Sequence, residues 1–125
     1  MDELPEKYLA GLKLFNEQEF FEAHDELEEL WSELFGEPKR FVQGLIQASV
    51  ALFHFGNENL GGARKLYIAS REKLERYPET YMGIEVWKFI ADLDFCFLEL
   101  VSAGDVYPQD VELRAERIPL IHFAG

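Results

Sequence analysis

The sequence predicts an all-α fold, a single-domain bundle of about five helices built from antiparallel helical hairpins, with an irregular C-terminal tail. Three observations carry this. Apolar residues recur at helical spacing through most of the chain. Helix stop and start signals, such as Gly36-Glu37-Pro38, separate the periodic stretches. The stretch from Phe41 to Phe55 holds no charged residue when His54 is neutral, as the centre of a bundle would. A chain of 125 residues is long enough to bury a real core in one domain. The expected division is a bundle over 1–104 and a tail over 105–125 packed on it.

The first helix is expected from about Leu4 to Phe15, with Tyr8, Leu9, Leu12 and Phe15 on one side and Pro5 in its first turn. Asn16-Glu17-Gln18-Glu19 reads as a capping box for the next helix, with Asn16 at N-cap and Glu19 at N3. That second helix is expected to reach about Phe35. With His24 at zero and about 100° per residue, Phe20, Leu27, Trp31, Leu34 and Phe35 fall within about 80° of it and Glu28 at about 40°. Phe21 closes the same arc. Glu22, Glu26, Glu29 and Glu33 gather on the far side, and Asp25 is at the border.

A third helix is expected from Lys39 to Phe55, as the buried centre. Its polar residues Arg40, Gln43, Gln47 and His54 form one stripe. Ser49 lies opposite, where a helical serine bonds its own backbone. After the turn Gly56-Asn57-Glu58-Asn59, a fourth helix runs from about Leu60 to Tyr77. Ala63, Leu66, Tyr67 and Leu74 give its apolar side, and Arg64, Lys65, Arg71, Lys73 and Arg76 make it the most basic element. Gly61-Gly62 permits close helix contact. A loop over Pro78–Gly83 leads to a fifth helix over Ile84–Ala103, with Trp87, Ile90, Phe97 and Leu98 among its apolar positions and Gly104 as its stop. The tail carries Pro108 and Pro119, and Ile118–Phe123 is expected to pack extended against the bundle.

The charge balance is 24 acids to 12 bases, a net −12. Such a chain repels phosphate backbones and anionic membrane surfaces, so no nucleic acid and no membrane is expected as partner. A cation, a basic protein, a small molecule or a second copy of the chain stays open. The ordinary consequence of the charge is solubility. Cys96 is alone, which excludes an intrachain disulfide and a cysteine zinc site. It is expected to be an inert core thiol. This fits a reducing compartment, and a cytoplasmic location is expected. The acidic opening Met1-Asp2-Glu3 predicts no secretory leader.

The short turn between helices two and three makes them antiparallel neighbours. The expectation is a buried polar pocket between them formed by His24, Glu28, Gln43, Gln47 and His54, with Glu22, Asp25, Trp31 and Arg40 at its edge. His24, Glu28 and His54 would suit a divalent metal such as zinc or iron, because neutral imidazole and carboxylate ligate both. An open metal position would activate water for hydrolase-like chemistry, with a glutamine orienting a small ligand. The competing reading is purely structural. Buried histidine commonly bonds a carboxylate, glutamines lock neighbouring helices, and Arg40 would neutralise Glu28 or a neighbouring acid. The protein would then be a non-catalytic interaction or homodimerisation module, marked by an exposed apolar patch on helix five or the tail. His122 is expected to pack or lie at the surface, and Trp31 and Trp87 to belong to the core.

Two blocks of residues resemble domain of unknown function family 309, a small all-helical prokaryotic family. The first is Phe15-Asn16 running into Phe20 or Phe21, Glu22, Ala23, His24, Asp25, Leu27, Glu28 and Trp31. The second is Phe41, Gln43, Gly44, Leu45, Ile46, Gln47, Val50, Ala51, Leu52 and His54, followed by Asn59, Gly62 and Ala63. With a weaker match at Gly83-Ile84-Glu85-Val86, the resemblance extends over residues 15 to 102. Asp25 stands where glutamate is usual, and Glu58 where glycine precedes Asn59. The resemblance implies an all-α bundle and no settled activity.

Overall fold

In a computed structural model of the chain, residues 3–102 and 110–125 are described. Among them are six α-helices: α1 Glu6–Asn16, α2 Phe20–Trp31, α3 Gly36–Gly56, α4 Leu60–Leu74, α5 Val86–Cys96 and α6 Leu98–Ser102. Two short strands, β1 Thr80–Tyr81 and β2 Ile84–Glu85, pair antiparallel between α4 and α5. The all-α expectation holds. The expected end of helix five at Ala103-Gly104 and the tail over 105–109 lie outside the described residues. No described helix is long and apolar enough to cross a membrane.

α3 is the central element, packed between α2 and α4. Phe41, Val42, Leu45, Ala48, Ala51, Leu52 and Phe55 are buried on it. Its approach to α4 is close because Gly44 has no side chain; a Cβ there would lie 2.8 Å from Leu74 Cδ2. The closeness lets Ser70 Oγ donate to the Gly44 carbonyl at 2.7 Å, a buried bond between helices. Ser49 Oγ donates to the Leu45 carbonyl at 3.1 Å, as expected of a helical serine. Phe15 stacks edge-on against Phe20 and Phe89, which ties α1, α2 and α5 into one core.

Several expected boundaries move. α2 starts at Phe20, with Glu19 at N-cap and no side-chain cap bond, so the capping box does not form. Gln18 turns left-handed (φ 65°), and Asn16 ends α1 and points elsewhere. Its amide brackets the tail: Nδ2 donates to the Ile121 carbonyl at 2.9 Å, and the Ile121 N–H donates to Oδ1 at 2.7 Å. α2 stops at Trp31, not near Phe35. Phe35 becomes the extended N-cap of α3 and is 85% exposed. Pro38 lies in the first turn of α3, where its missing N–H costs nothing, so the helix begins earlier than Lys39.

The expected loop over Pro78–Gly83 closes instead as a β-hairpin. Met82 and Gly83 both have positive φ, as a tight primed turn requires. Ile84 is therefore a buried strand residue and not the start of a helix. The single long fifth helix is broken at Phe97 into α5 and α6. Trp87, expected in the core, is exposed, as is Leu98 among the expected apolar positions of that helix. The tail packs extended as expected: the Glu85 N–H donates to the His122 carbonyl and the Ala124 N–H to the Gly83 carbonyl, both at 2.9 Å. Ile84 bridges to Phe123, so the tail lies alongside the hairpin, and Ile121 is buried.

Candidate functional site

The buried residues of α2 are Phe20, Ala23, Leu27 and Leu30. At about 100° per residue their centre lies about 80° from His24, so His24 sits at the edge of the buried arc and Glu28 outside it. The side chain of His24 is 22% exposed, against 56% for Glu28 and 58% for Asp25. A long carboxylate one turn above an edge histidine reaches back to it: His24 Nε2 and Glu28 Oε2 are 2.9 Å apart. Asp25 Oδ1 approaches His24 Nδ1 at 3.2 Å. That approach is not aligned as a hydrogen bond, and Nδ1 is a buried nitrogen with no hydrogen-bond partner among the described residues. The contact is one of electrostatic proximity. One ligand atom from each of His24, Asp25 and Glu28 lies within 4.8 Å of the others.

α3 meets α2 along a different stripe from the expected one. Lys39 Nζ sits 4.2 Å above the Trp31 ring, and Phe53 meets Phe21 with ring centroids 5.4 Å apart. Lys39 and Phe53 are two heptads apart on one line of the helix. Gln43, Gln47 and His54 lie about 60–100° around from that line, on the part of α3 left between its two neighbours. All three are half-buried and none is fully enclosed. The expectation of a closed pocket thus corrects to an open polar rim. α3 is covered on two sides only, and its uncharged polar stripe marks the uncovered one.

His54 is not brought to His24. It does not join the His24 cluster, and among the described residues the two histidines are linked only through a chain of ring contacts: His24 to Phe21 is 5.6 Å, Phe21 to Phe53 5.4 Å, and Phe53 to His54 6.0 Å between centroids. His54 Nδ1 lies 3.2 Å from Asn59 Nδ2 at the start of α4. The expected ligand set of His24, Glu28 and His54 is replaced by His24, Asp25 and Glu28. Gln43 lines a concavity with Arg40, Glu72, Lys73 and Arg76, toward α4. The register set by Trp31–Lys39 and Phe21–Phe53 puts Gln47 level with His24. Gln47 Oε1 is buried without a hydrogen-bond partner among the described residues, as is Trp31 Nε1. Arg40 Nη1 binds Glu37 at 2.8 Å and does not reach Glu28. Glu22 is exposed and points about 160° away from His24.

Sequence reasoning missed a second polar group. Tyr67 Oη donates to Asp94 Oδ1 at 2.5 Å, and Arg71 Nε binds the same oxygen at 3.0 Å. Burial and the Asp94 carboxylate both push the Tyr67 hydroxyl well above its usual range. These residues come from α4 and α5, so no spacing within one helix announces them.

The helices and this rim define a helical-hairpin protein with an open His-carboxylate cluster on its second helix. Residues 8–66 match the model of the family described as Domain of unknown function (DUF309), the family that the two motif blocks resemble. The chain is 39% identical over 67 residues to the uncharacterized protein YpuF of Bacillus subtilis (strain 168), a match covering 50% of this chain and 37% of that protein. The chain therefore spans well under two thirds of that relative's length. His24, Asp25, Glu28, Gln43, Gln47 and His54 all lie within the stretch that matches the family model. α5 and the tail lie beyond it.

Proposed function

We propose that the protein is a non-catalytic interaction module that pairs with a second copy of itself through α5. The observation that carries this is a helix apolar on both faces. Val86, Phe89, Ile90, Leu93 and Cys96 are buried against the bundle. Trp87, Ala91 and Phe95 form an outward stripe at i, i+4 and i+8, with Trp87 56% and Phe95 52% exposed. Leu120, exposed beside Phe95, extends the patch. An exposed apolar patch of this kind marks an interaction surface.

The stripe is self-complementary, which argues for a second copy as its occupant. Its sizes read large, small, large about Ala91. An antiparallel two-fold contact sets Ala91 against itself and Trp87 against Phe95 of the partner subunit. Lys88 and Asp92 flank one side, 3.3 Å apart. The two-fold interleaves them, so that each lysine gains an aspartate across the contact. A concavity of about 330 Å³ beside Trp87 and Ala91 has room for the incoming ring, since a cavity of about 150 Å³ holds benzene.

Sedimentation equilibrium tests this. The wild type is expected to dimerise, and Trp87→Glu and Phe95→Glu to be folded monomers. Truncating a central aromatic anchor typically costs about 2 kcal/mol, about thirty-fold in Kd. A wild type that stays monomeric throughout overturns the reading.

The His24, Asp25 and Glu28 cluster favours a second reading, a divalent cation held on the open face of α2. An imidazole nitrogen of His24 and the Glu28 carboxylate suit zinc or iron, one turn apart. The 4.8 Å spread fits a loose chelate completed by water and not a closed catalytic centre. Calorimetric zinc titration tests it. Stoichiometric binding abolished by His24→Ala supports it, and binding that survives the substitution removes it.

A further inference from the structure

We infer that the junction of α3 and α4 is a binding site for a small phosphate-bearing anion, held by Arg40, Gln43, Lys73 and Arg76. The first turn of α3 meets the last turn of α4 there. Tyr77 Oη donates to the Glu37 carbonyl at 2.7 Å and fixes one helix end to the other. Two adjoining concavities, of about 90 and 290 Å³, open at this junction, and Arg40, Lys73 and Arg76 line both. Gln43 adds an amide donor to the larger one.

In a chain of net charge −12 a cluster of three cations needs a reason. Lys73 and Arg76 make no ion pair among the described residues. Two carboxylates share the site. Glu37 Oε1 is engaged by Arg40 at 2.8 Å, and Glu72 lines the larger concavity. With the Arg40–Glu37 pair set aside, Lys73 and Arg76 face one carboxylate, Glu72. The dipole of α4 accounts for Lys73 in its last turn. It does not account for Arg40, which reaches the same space from α3. Guanidinium groups match phosphate oxygens in pairs, and an ammonium adds a point charge. The larger concavity is at the lower end of ligand-pocket sizes, about 300 Å³, which suits inorganic phosphate or a small monoester and not a nucleotide.

Amide NMR titration of the full chain with inorganic phosphate at low ionic strength tests this, with sodium chloride at matched ionic strength as reference. The expected result is saturable shifts confined to Arg40, Gln43, Lys73, Arg76 and Tyr77. Lys73→Gln/Arg76→Gln should raise Kd about tenfold or more, as loss of charge-assisted bonds does. Arg40→Gln, on the other helix, should weaken binding in the same direction. Shifts that never saturate, that scatter over all surface cations, or that persist unchanged in these folded variants overturn the assignment.

Discussion

Asn16 holds Ile121 as a neighbouring strand would, with its amide oxygen and nitrogen on the N–H and carbonyl of one residue, 105 positions away. Only an amide side chain both donates and accepts in this way. Asn16→Ala leaves two part-buried backbone groups unsatisfied and should destabilise the protein by about 2–3 kcal/mol. Asn16→Asp keeps the acceptor and loses the donor, and should fall between the two. Urea denaturation gives the stabilities, and amide exchange at Ile121 should accelerate more than exchange in the core of α3.

Gly44 and Leu74 set the distance between α3 and α4. A Cβ at Gly44 would sit 2.8 Å from Leu74 Cδ2, and Leu74 is fully buried with nowhere to swing. Gly44→Ala is expected to cost about 1–3 kcal/mol by overpacking, although alanine is the better helix former. Ser70→Ala removes the bond to the Gly44 carbonyl and should cost about 1–2 kcal/mol. The double variant should cost less than the sum, because the first substitution already strains that bond. A Gly44→Ala protein as stable as the wild type would mean the helices separate without penalty.

The helices were legible because their apolar spacing is set by burial, and four of the expected five appear in order. What was not legible depends on contacts between distant segments. Asn16 looks like an N-cap from its neighbours alone, and only the tail explains why its amide is used elsewhere. Ile84 continues an apolar helical pattern, yet the turn at Met82-Gly83 and the bridge to Phe123 make it a strand residue. His24 and Glu28 were correctly placed one turn apart. They lie shallower than their place in the apolar arc implies, because the packed face centres on Ala23, Leu27 and Leu30 and not on His24. The stripe of Gln43, Gln47 and His54 was real. Its facing was not readable, because periodicity gives a helix's stripes and not which neighbour each one meets.

Burial pushes the Cys96 thiol up to about 12, with Arg117 opposing. In the unfolded chain a thiol ionises near 8.5. Folding therefore favours the protonated form. That contribution is fully present below the unfolded value and is lost as pH rises toward the folded one. Stability should decline above about pH 8.5 with a slope of at most about 1.4 kcal/mol per pH unit from this group. Comparison of wild type with Cys96→Ala between pH 8 and 10 isolates it, since the variant lacks that slope. The same burial predicts that a thiol reagent modifies the native protein only at the rate of unfolding. Rapid labelling of native protein would contradict the buried position of Cys96 on α5.

Lys88 and Asp92 give the proposed contact between copies a test independent of its aromatic residues. Both are substantially exposed, so changes there leave the core intact. Within one chain they make an ordinary surface pair, which contributes about 0.2–1 kcal/mol. Across a two-fold contact the same charges meet twice more, once on each side of the axis. Lys88→Glu turns those attractions into repulsions and should weaken self-association by about 1–2 kcal/mol, roughly tenfold in Kd. Asp92→Lys should do the same. The combined Lys88→Glu/Asp92→Lys protein restores every pairing with the signs exchanged, and its Kd should return close to that of the wild type. Added salt should shrink the differences among all four proteins, since the pairs are screened. If both single variants weaken association and the double variant does not recover, the charges act without meeting across the contact, and the antiparallel arrangement about Ala91 is wrong even though α5 is the interface.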